Sequence, residues 1–251
     1  MGSSVFGGYN SNHLLDLLDY KAIKRSRKVF CGYSDVTALN TAILTISGLV
    51  NFSGPALVTF CQPELPKYTI DNFLAAVCSA EQHTVRASDL WAEDRWFQKP
   101  DLGPREWMAN PGWTVLQEGT VDGETIGGNL NTLLALAGTD YWPEMHGRVL
   151  FIEEDDTGPA ALMDRNLQQL RMMGVFDDIS GLVVGRIPTR AGFDEKDRFE
   201  DAILAATSGY DMPIVTGVDL SHTDPLFTLP LGVGCRLDAQ RKEITFHGAV
   251  E

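Results

Sequence analysis

Short apolar runs alternate with segments of helical spacing along this chain, and this alternation limits its fold more than any other feature. Apolar runs that predict strands lie at 28–32, 149–152, 181–187 and 213–218. Helices are predicted from about Asp35 and at 129–137, 164–173 and 198–207. In the first of these, apolar residues recur every three or four positions, and Gly48 supplies a stop. Strand–helix alternation of this kind is typical of an α/β fold with a parallel sheet.

The regular pattern is interrupted at about 66–120, a stretch rich in proline, glycine, charge and tryptophan. We therefore predict an N-terminal part at 1–65, a connecting region with an aromatic loop at 66–120, and a C-terminal domain at 121–251. The N-terminal part is expected to hold a Rossmann-like parallel sheet. The C-terminal part is expected to be an α/β domain that ends in a β-hairpin at 232–246.

Charge and cysteine content exclude several classes of partner and site. The 251 residues carry 20 Lys and Arg against 34 Asp and Glu, and the net charge of −14 is unsuited to nucleic acid or an anionic membrane surface. The four cysteines show neither metal-ligand nor disulfide-framework spacing. No signal-peptide pattern and no run of about 18 apolar residues occurs. We therefore expect a cytoplasmic protein that needs no metal and no other cofactor.

Ser34 stands where an apolar strand turns through glycine directly into a helix, in the segment Val-Phe-Cys-Gly-Tyr-Ser-Asp. Such a turn exposes a side chain and points the free N–H groups of the helix at the same space, which suits a nucleophile and an oxyanion. The segment resembles a nucleophile elbow, although Asp35 and Val36 replace the last two positions of G-x-S-x-G. A simple helix cap at Ser34 is the alternative interpretation.

Glu153 directly follows the apolar run 149–152, so a strand would bring its carboxylate to the edge of the sheet where α/β proteins place their sites. An ordinary solvated side chain is one alternative. A hard-metal site built from the four acidic residues 153–156 is another. Neighbouring residues of a strand point to opposite faces, so these carboxylates would not converge on one ion without a turn.

His222 lies in a polar loop that follows the predicted strand 213–218. A loop histidine held by a rigid strand suits a general base, because the unperturbed pKa of imidazole lies near neutrality. An ordinary surface histidine is the alternative. The remaining histidines lie in helix-like, linker or terminal contexts without a nucleophile turn beside them: His13, His83, His146 and His247.

Five segments resemble the serine LD-carboxypeptidase family in order and context: 7–12, 32–39, 127–130, 150–153 and the loop at 219–225. In that family the serine, the first glutamate and the late histidine of these segments form a catalytic triad. The resemblance therefore implies the triad Ser34, Glu153 and His222. It also implies that the backbone N–H groups of Gly8 and Asp35 bind the oxyanion, and that Tyr9 and Asn129 line the substrate site.

The same resemblance bears on architecture. The triad would draw on two parts of the chain and would lie in the cleft between them. Family members carry a further α/β segment ahead of the glycine turn at Gly7 and Gly8, so the N-terminal part is expected to be truncated here. The resemblance also suggests a homodimer.

The family contains two branches of amide hydrolases. One branch trims the terminal D-alanine from murein tetrapeptides, and the other includes the microcin C self-immunity peptidases, which cleave the amide between an aminoacyl group and a modified nucleotide. The stretch 88–97 favours an aminoacyl-nucleotide over a small peptide, because Trp91 and Trp96 resemble an aromatic loop that stacks on a base. Ordinary packing of these aromatics is the alternative, and an inactive homologue that acts as a binding module is a further one.

Overall fold

The computed structural model describes residues 2–98, 101 and 103–249. Its strands are short, and several are bounded by glycine or proline. In chain order, β1 to β14 are Gly2–Ser3, Phe30–Cys31, Asn51–Ser53, His83–Val85, Leu90–Trp91, Met108–Ala109, Thr114–Gln117, Thr120–Asn129, Val149–Glu153, Gly181–Gly185, Ile214–Val218, Leu229–Leu231, Gly234–Asp238 and Glu243–Phe246.

Some of the helices have a recognisable capping residue at one end. In chain order, α1 to α7 are Tyr20–Ser26, Thr37–Ser47, Lys67–Cys78, Leu130–Leu134, Ala160–Met172, Val175–Asp178 and Phe199–Ala206. Helix α2 stops at Gly48, which takes the left-handed conformation that glycine adopts without a steric penalty. Asn129 caps the start of α4, because its side chain accepts a hydrogen bond from the backbone N–H of Thr132.

A four-stranded sheet forms the first structural unit, in the order β1-β2-β3-β12. Strands β1, β2 and β3 are parallel, as the N-terminal part is predicted to be. Strand β12 comes from late in the chain and pairs antiparallel with β3. This sheet therefore joins the beginning of the chain to the segment that follows His222.

An eight-stranded sheet forms the second unit, in the order β4-β14-β13-β8-β9-β10-β11-β7. Its centre, β8 to β11, is parallel, and β13 and β14 form the predicted terminal hairpin. The region predicted as a connection contains α3 and also supplies β4 and β7, the two outermost strands of this sheet. The α/β fold class is confirmed.

Alternating side chains of the central strand β9 face two different cores. Leu150 and Ile152 pack with residues of α5 and α7, whereas Val149 and Phe151 pack with residues of the terminal hairpin. A strand covered on both faces reads as a continuous apolar run, which explains the pattern at 149–152. Within the described ranges, no helix is long and apolar enough to cross a bilayer.

Candidate active site

Ser34 occupies a strained turn between β2 and α2. Its φ angle is +62°, a left-handed backbone that is uncommon for any residue with a Cβ atom. A short 3₁₀ turn over Ser34–Val36 then leads into the helix. Strain of this kind in a strand-to-helix turn is a feature of nucleophile elbows, where it exposes the hydroxyl.

Gly7 allows the glycine turn to approach this serine closely. A Cβ atom at position 7 would lie 3.2 Å from the Cβ of Ser34 and 3.3 Å from its Oγ. Contacts that short force a neighbour to move, so glycine at this position keeps the space around the hydroxyl open. The neighbouring Gly8 also lines the cleft beside Ser34.

Asp35 holds the glycine turn from the other side. Its buried carboxylate accepts hydrogen bonds from the backbone N–H groups of Asn10 and Ser11, at 3.1 and 3.0 Å, and from the hydroxyl of Ser11 at 2.7 Å. The side chain of Asp35 thus fixes the loop that contains Gly8, while its backbone belongs to the serine turn.

His222 lies between Ser34 and Glu153. Its Nε2 atom is 3.0 Å from the Oγ of Ser34, and its Nδ1 atom is 2.9 Å from the Oε2 of Glu153. Glu153 ends β9, and the loop after β11 carries His222, so two parallel strands present their carboxyl ends at one edge of the sheet. The three residues selected from the sequence therefore form one continuous chain of hydrogen-bonding groups.

The environment of His222 favours its protonated form. Burial alone lowers the pKa of the imidazole, but the charge and hydrogen bond of Glu153 outweigh it, with smaller contributions from Asp155 and Glu154, so the pKa is raised. The ring of Tyr33 packs beside the imidazole at 5.2 Å between centroids. The imidazole is therefore held on one side by a carboxylate and on another by an aromatic ring.

The four acidic residues 153–156 point in different directions. Glu153 faces His222, Glu154 is bonded to Asn129, Asp155 accepts from Thr157, and Asp156 pairs with arginines. In the described part of the chain, no group of three or more His, Cys, Asp or Glu side chains could hold a metal ion. These four carboxylates therefore do not converge on one point.

A cleft of about 320 Å³ opens beside Ser34 and His222. Its walls include the predicted residues Gly8, Tyr9 and Trp96, and also aromatic and charged side chains that were not selected from the sequence: Phe6, Phe97, Arg95, Asp156 and Arg190. Trp96 is only 8% exposed and packs edge-on against Phe97, which is 51% exposed. Phe97 is therefore the more exposed of the two aromatic rings that line the cleft.

Models of the LD-carboxypeptidase N-terminal domain and C-terminal domain match residues 3–54 and 122–237 of this chain. The putative carboxypeptidase YocD of Bacillus subtilis (strain 168) is 39% identical over 236 residues, which are 94% of this chain and 72% of YocD. This chain belongs to the LD-carboxypeptidase family. The family resemblance expected from the five sequence segments is confirmed.

One other relative in this LD-carboxypeptidase family is named for microcin immunity, and solved structures of that relative and of a similar protein superpose on this chain. The microcin C7 self-immunity protein MccF of Escherichia coli is 35% identical over 249 residues, covering 96% of this chain and 72% of MccF. A crystal structure of an MccF-like protein from Bacillus anthracis str. Ames superposes with a TM-score of 0.92 at 35% identity, covering 98% of this chain and 75% of that one. MccF in complex with aspartyl sulfamoyl adenosine gives 0.90 at 33% identity, covering 99% and 76%.

Two residues selected as substrate contacts in this LD-carboxypeptidase-family chain are engaged elsewhere. Asn129 is buried, donates to Glu154 at 2.8 Å and caps α4, and it is not among the described residues that line the cleft. The guanidinium carbon of Arg186 lies 4.9 Å from the ring centroid of Trp91. Trp91 is also not among the described residues that line the cleft. Substrate contact by Asn129 or Trp91 therefore stays a prediction.

Three charged side chains that line the cleft belong to no recognisable sequence motif. Arg95 and Arg190 both pair with Asp156, which is nearly buried. Of these three residues, only Asp156 belongs to the acidic run 153–156, for which a metal site is one alternative interpretation of the sequence. Ion pairs between residues separated by 34 to 61 positions leave no periodic signal in a sequence, so only the fold reveals them.

Proposed function

We propose that this chain is a serine hydrolase that cleaves an amide bond, with Ser34 as nucleophile, His222 as general base and Glu153 as the orienting carboxylate. The observation that carries the proposal is the unbroken series of hydrogen-bonding contacts, 3.0 Å from Ser34 to His222 and 2.9 Å from His222 to Glu153. Membership of a carboxypeptidase family supports the same class of reaction.

The reaction would proceed in two halves. The Nε2 atom of His222 accepts the proton of Ser34 as Oγ bonds to the substrate carbonyl carbon, and Glu153 stabilises the resulting imidazolium. Collapse of the tetrahedral intermediate breaks the C–N bond, and His222 returns the proton to the leaving nitrogen. A water molecule then attacks the acyl-enzyme, with His222 again removing a proton, to release the acid and restore Ser34.

The negative charge on the tetrahedral oxygen needs donors close to Ser34. We assign this role to the backbone N–H groups of Gly8 and Asp35, which belong to the two turns that meet at the serine. Support comes from the hydrogen bonds of the Asp35 carboxylate to the glycine turn, because preorganised donors need no rearrangement during the reaction.

We propose an aminoacyl-nucleotide as the substrate class. The cleft has a broad aromatic wall in Phe6, Tyr9, Trp96 and Phe97, which suits a planar base, and the related MccF binds aspartyl sulfamoyl adenosine. A murein tetrapeptide is the second candidate, favoured by the family's description as LD-carboxypeptidases. A cytoplasmic location and a homodimer remain predictions.

Hydrolysis of two substrates by the purified chain tests this assignment. Aspartyl sulfamoyl adenosine and a murein tetrapeptide are each incubated with the wild type and with Ser34→Ala, and the released amino acid is measured. We expect faster cleavage of the nucleotide-linked amide, lost in Ser34→Ala. Cleavage of the tetrapeptide alone would assign the chain to murein, and cleavage of neither would favour a binding module.

A further inference from the structure

Arg105 is a fully buried arginine beneath the cleft. Its side chain has 0% exposure, and its guanidinium reaches three acceptors on three separate segments. Nε donates to Asp94 at 2.9 Å, Nη2 donates to Asp224 at 2.8 Å, and Nη1 donates to the side-chain oxygen of Gln62. Its charged plane also lies 4.9 Å from the ring centroid of Trp107.

The two carboxylates that Arg105 holds belong to loops with different roles. Asp94 directly precedes the charged and aromatic segment 95–97 in the cleft wall. Asp224 follows His222 by two residues and lies in the same loop. Both carboxylates also line the cleft, so the buried guanidinium lies directly behind the substrate-binding surface.

The backbone joins the same two loops. The N–H of Ala92 donates to the carbonyl of Asp224 at 2.7 Å, and the N–H of Asp224 donates to the carbonyl of Ala92 at 2.8 Å. These reciprocal bonds form an isolated antiparallel bridge outside the sheets. Arg105 therefore reinforces a contact that already sets the aromatic segment and the histidine loop side by side.

Charge and geometry explain why an arginine suits this position. A buried guanidinium is tolerated only when it is paired and fully hydrogen-bonded, and the loss of one partner leaves an uncompensated buried charge. Burial raises the pKa of Asp224, and the charge of Arg105 counteracts this. A planar fork of five donors can satisfy three acceptors at once, which the single ammonium group of a lysine cannot do in the same directions.

We propose that Arg105 is a positioning residue that sets the cleft's aromatic segment and the His222 loop in one fixed relation. This inference rests on the proposed function, since it assigns the His222 loop to proton transfer and the aromatic segment to substrate binding. Arg105 acts through Asp94 on the binding side and through Asp224 on the histidine side. The aromatic segment and the His222 loop then face the substrate in a fixed relative position.

Three variants separate the effect of Arg105 on the aromatic segment from its effect on the His222 loop: Arg105→Lys, Asp94→Asn and Asp224→Asn. The asparagine variants keep side-chain size and retain Arg105, so they stay informative if the lysine variant does not fold. Arg236→Gln, which removes a pair with Asp122 that is 54% and 64% exposed, is the matched control for losing an ion pair remote from the cleft.

Two kinetic measurements report separately on the His222 loop and on the aromatic segment. The rate of labelling by a small fluorophosphonate reports on Ser34 and His222, and the KM for aspartyl sulfamoyl adenosine reports on the binding wall. We expect Asp224→Asn to slow labelling and Asp94→Asn to raise KM with labelling nearly unchanged. Arg105→Lys should do both, with a fall in kcat/KM of about 10²-fold, the scale expected for a displacement near 1 Å. Arg236→Gln should match the wild type.

The imidazole ¹⁵N signals of His222 give a readout that does not depend on turnover. They should shift in Arg105→Lys and Asp224→Asn and stay unchanged in Asp94→Asn and Arg236→Gln. A folded Arg105→Lys protein with wild-type labelling, KM and imidazole signals would overturn the proposal, as would an Asp224→Asn protein with unchanged labelling and signals. Failure of the wild type itself to be labelled would instead count against the proposed hydrolase, and the imidazole signals would still test Arg105.

Discussion

Ser34 adopts a left-handed backbone that the surrounding turns hold in place. For a residue with a Cβ atom this conformation costs about 1–3 kcal/mol, and it persists only where neighbouring contacts over-determine it. The contacts here are the carboxylate of Asp35 on the glycine turn and the close approach of Gly7. The strain directs the hydroxyl of Ser34 toward the imidazole of His222.

The pH dependence of activity should report the raised pKa of His222. Only the neutral imidazole accepts the serine proton, so kcat/KM should rise with pH, with an inflection above the usual histidine value of about 6.5. Glu153→Gln should move the inflection of the residual activity downward, because the charge that raises the pKa is removed. A flat profile across neutral pH would contradict the assignment of His222.

The same shift affects stability in a defined direction. A raised pKa means that the native state holds this proton more tightly than the unfolded chain does. The stabilising contribution of His222 is therefore fully present below its unfolded pKa and is lost as pH rises through the folded value. Activity and this stability contribution thus change in opposite directions with pH.

At the scale of elements, the carboxyl ends of β9, β10 and β11 assemble the site. Gly185 ends β10 between the other two strands, and a Cβ atom there would lie 1.7 Å from the carbonyl oxygen of Leu220 and 2.9 Å from the Cβ of Glu153. Glycine at this position therefore allows the loop that carries His222 to pass close to β10, the strand beside β9.

Gly185→Ala should both destabilise the fold and lower turnover. Overpacking typically costs about 1–3 kcal/mol, and an overlap with the backbone carbonyl of Leu220 places this substitution at or above the top of that range. The displaced groups lead directly to Glu153 and His222. The control is Gly103→Ala, whose added Cβ would meet no atom of the described residues beyond its chain neighbours closer than 3.5 Å. Chemical denaturation and kcat measure the two effects. A Gly185→Ala protein with the stability and kcat of the Gly103→Ala control would show that this close approach is unimportant.

Glu154 connects the end of β9 to the start of α4. Its carboxylate accepts from the side chain of Asn129 and from the backbone N–H of Asn131, while burial, followed by the charge of Glu153, raises its pKa from 4.5 to about 7. The native state therefore binds this proton more tightly than the unfolded chain, and stability should fall as pH rises from about 4.5 to 7.

Glu154→Gln should remove this part of the pH dependence. The shift corresponds to a loss of up to about 3 kcal/mol across the window, at 1.36 kcal/mol for each pKa unit. Urea unfolding of wild type and Glu154→Gln at pH 5 and pH 7.5 measures it, with Glu144→Gln as an exposed carboxylate control. Equal pH dependence in wild type and Glu154→Gln would show that Glu154 does not titrate in this range.

Local sequence patterns predict some elements of the fold well and others poorly. The apolar run at 149–152, the stop at Gly48 and the terminal hairpin follow from local periodicity and turn chemistry. The strands β4 and β7 are harder to predict from the sequence, because their partners β14 and β11 lie far along the chain and edge strands have a weak hydrophobic pattern. Local signals define elements, whereas partners depend on tertiary contacts.

The candidate site shows the same division. Ser34, Glu153 and His222 could be selected because each stands at a recognisable strand end or turn and because the family resemblance orders them. Asn129 shows how a helix cap and a substrate contact can use the same polar side chain, and its contact with substrate stays a prediction. Arg105 left no signal, because a single arginine in a loop does not reveal that its three acceptors lie 11, 43 and 119 positions away.

At the scale of the whole molecule, the cleft lies where the two sheets meet. Strand β12 pairs with β3 and returns the chain after His222 to the small sheet, so Ser34 from one unit faces Glu153 and His222 from the other. The aromatic wall combines residues from the start of the chain and from the connecting region. Substrate choice is therefore a property of the assembled molecule.

Phe97→Ala should reduce cleavage of an aminoacyl-nucleotide more than cleavage of a tetrapeptide. Phe97 is the more exposed partner of the Trp96 pair, and stacking on a base contributes about 0.5–1.5 kcal/mol beyond buried area. The expected selective loss in kcat/KM is therefore about two- to tenfold. Leu204→Ala, at an exposed apolar residue that does not line the cleft, is the control. Equal losses on both substrates would indicate a packing role instead.

Covalent labelling can identify Ser34 as a nucleophile that His222 and Glu153 activate. Wild type, Ser34→Ala and His222→Ala are treated with a fluorophosphonate, and the adduct is located by peptide mass spectrometry. We predict one adduct on Ser34 in the wild type, none in Ser34→Ala, and labelling slowed by several orders of magnitude in His222→Ala. An adduct on another residue, or equal labelling of wild type and His222→Ala, would contradict this account.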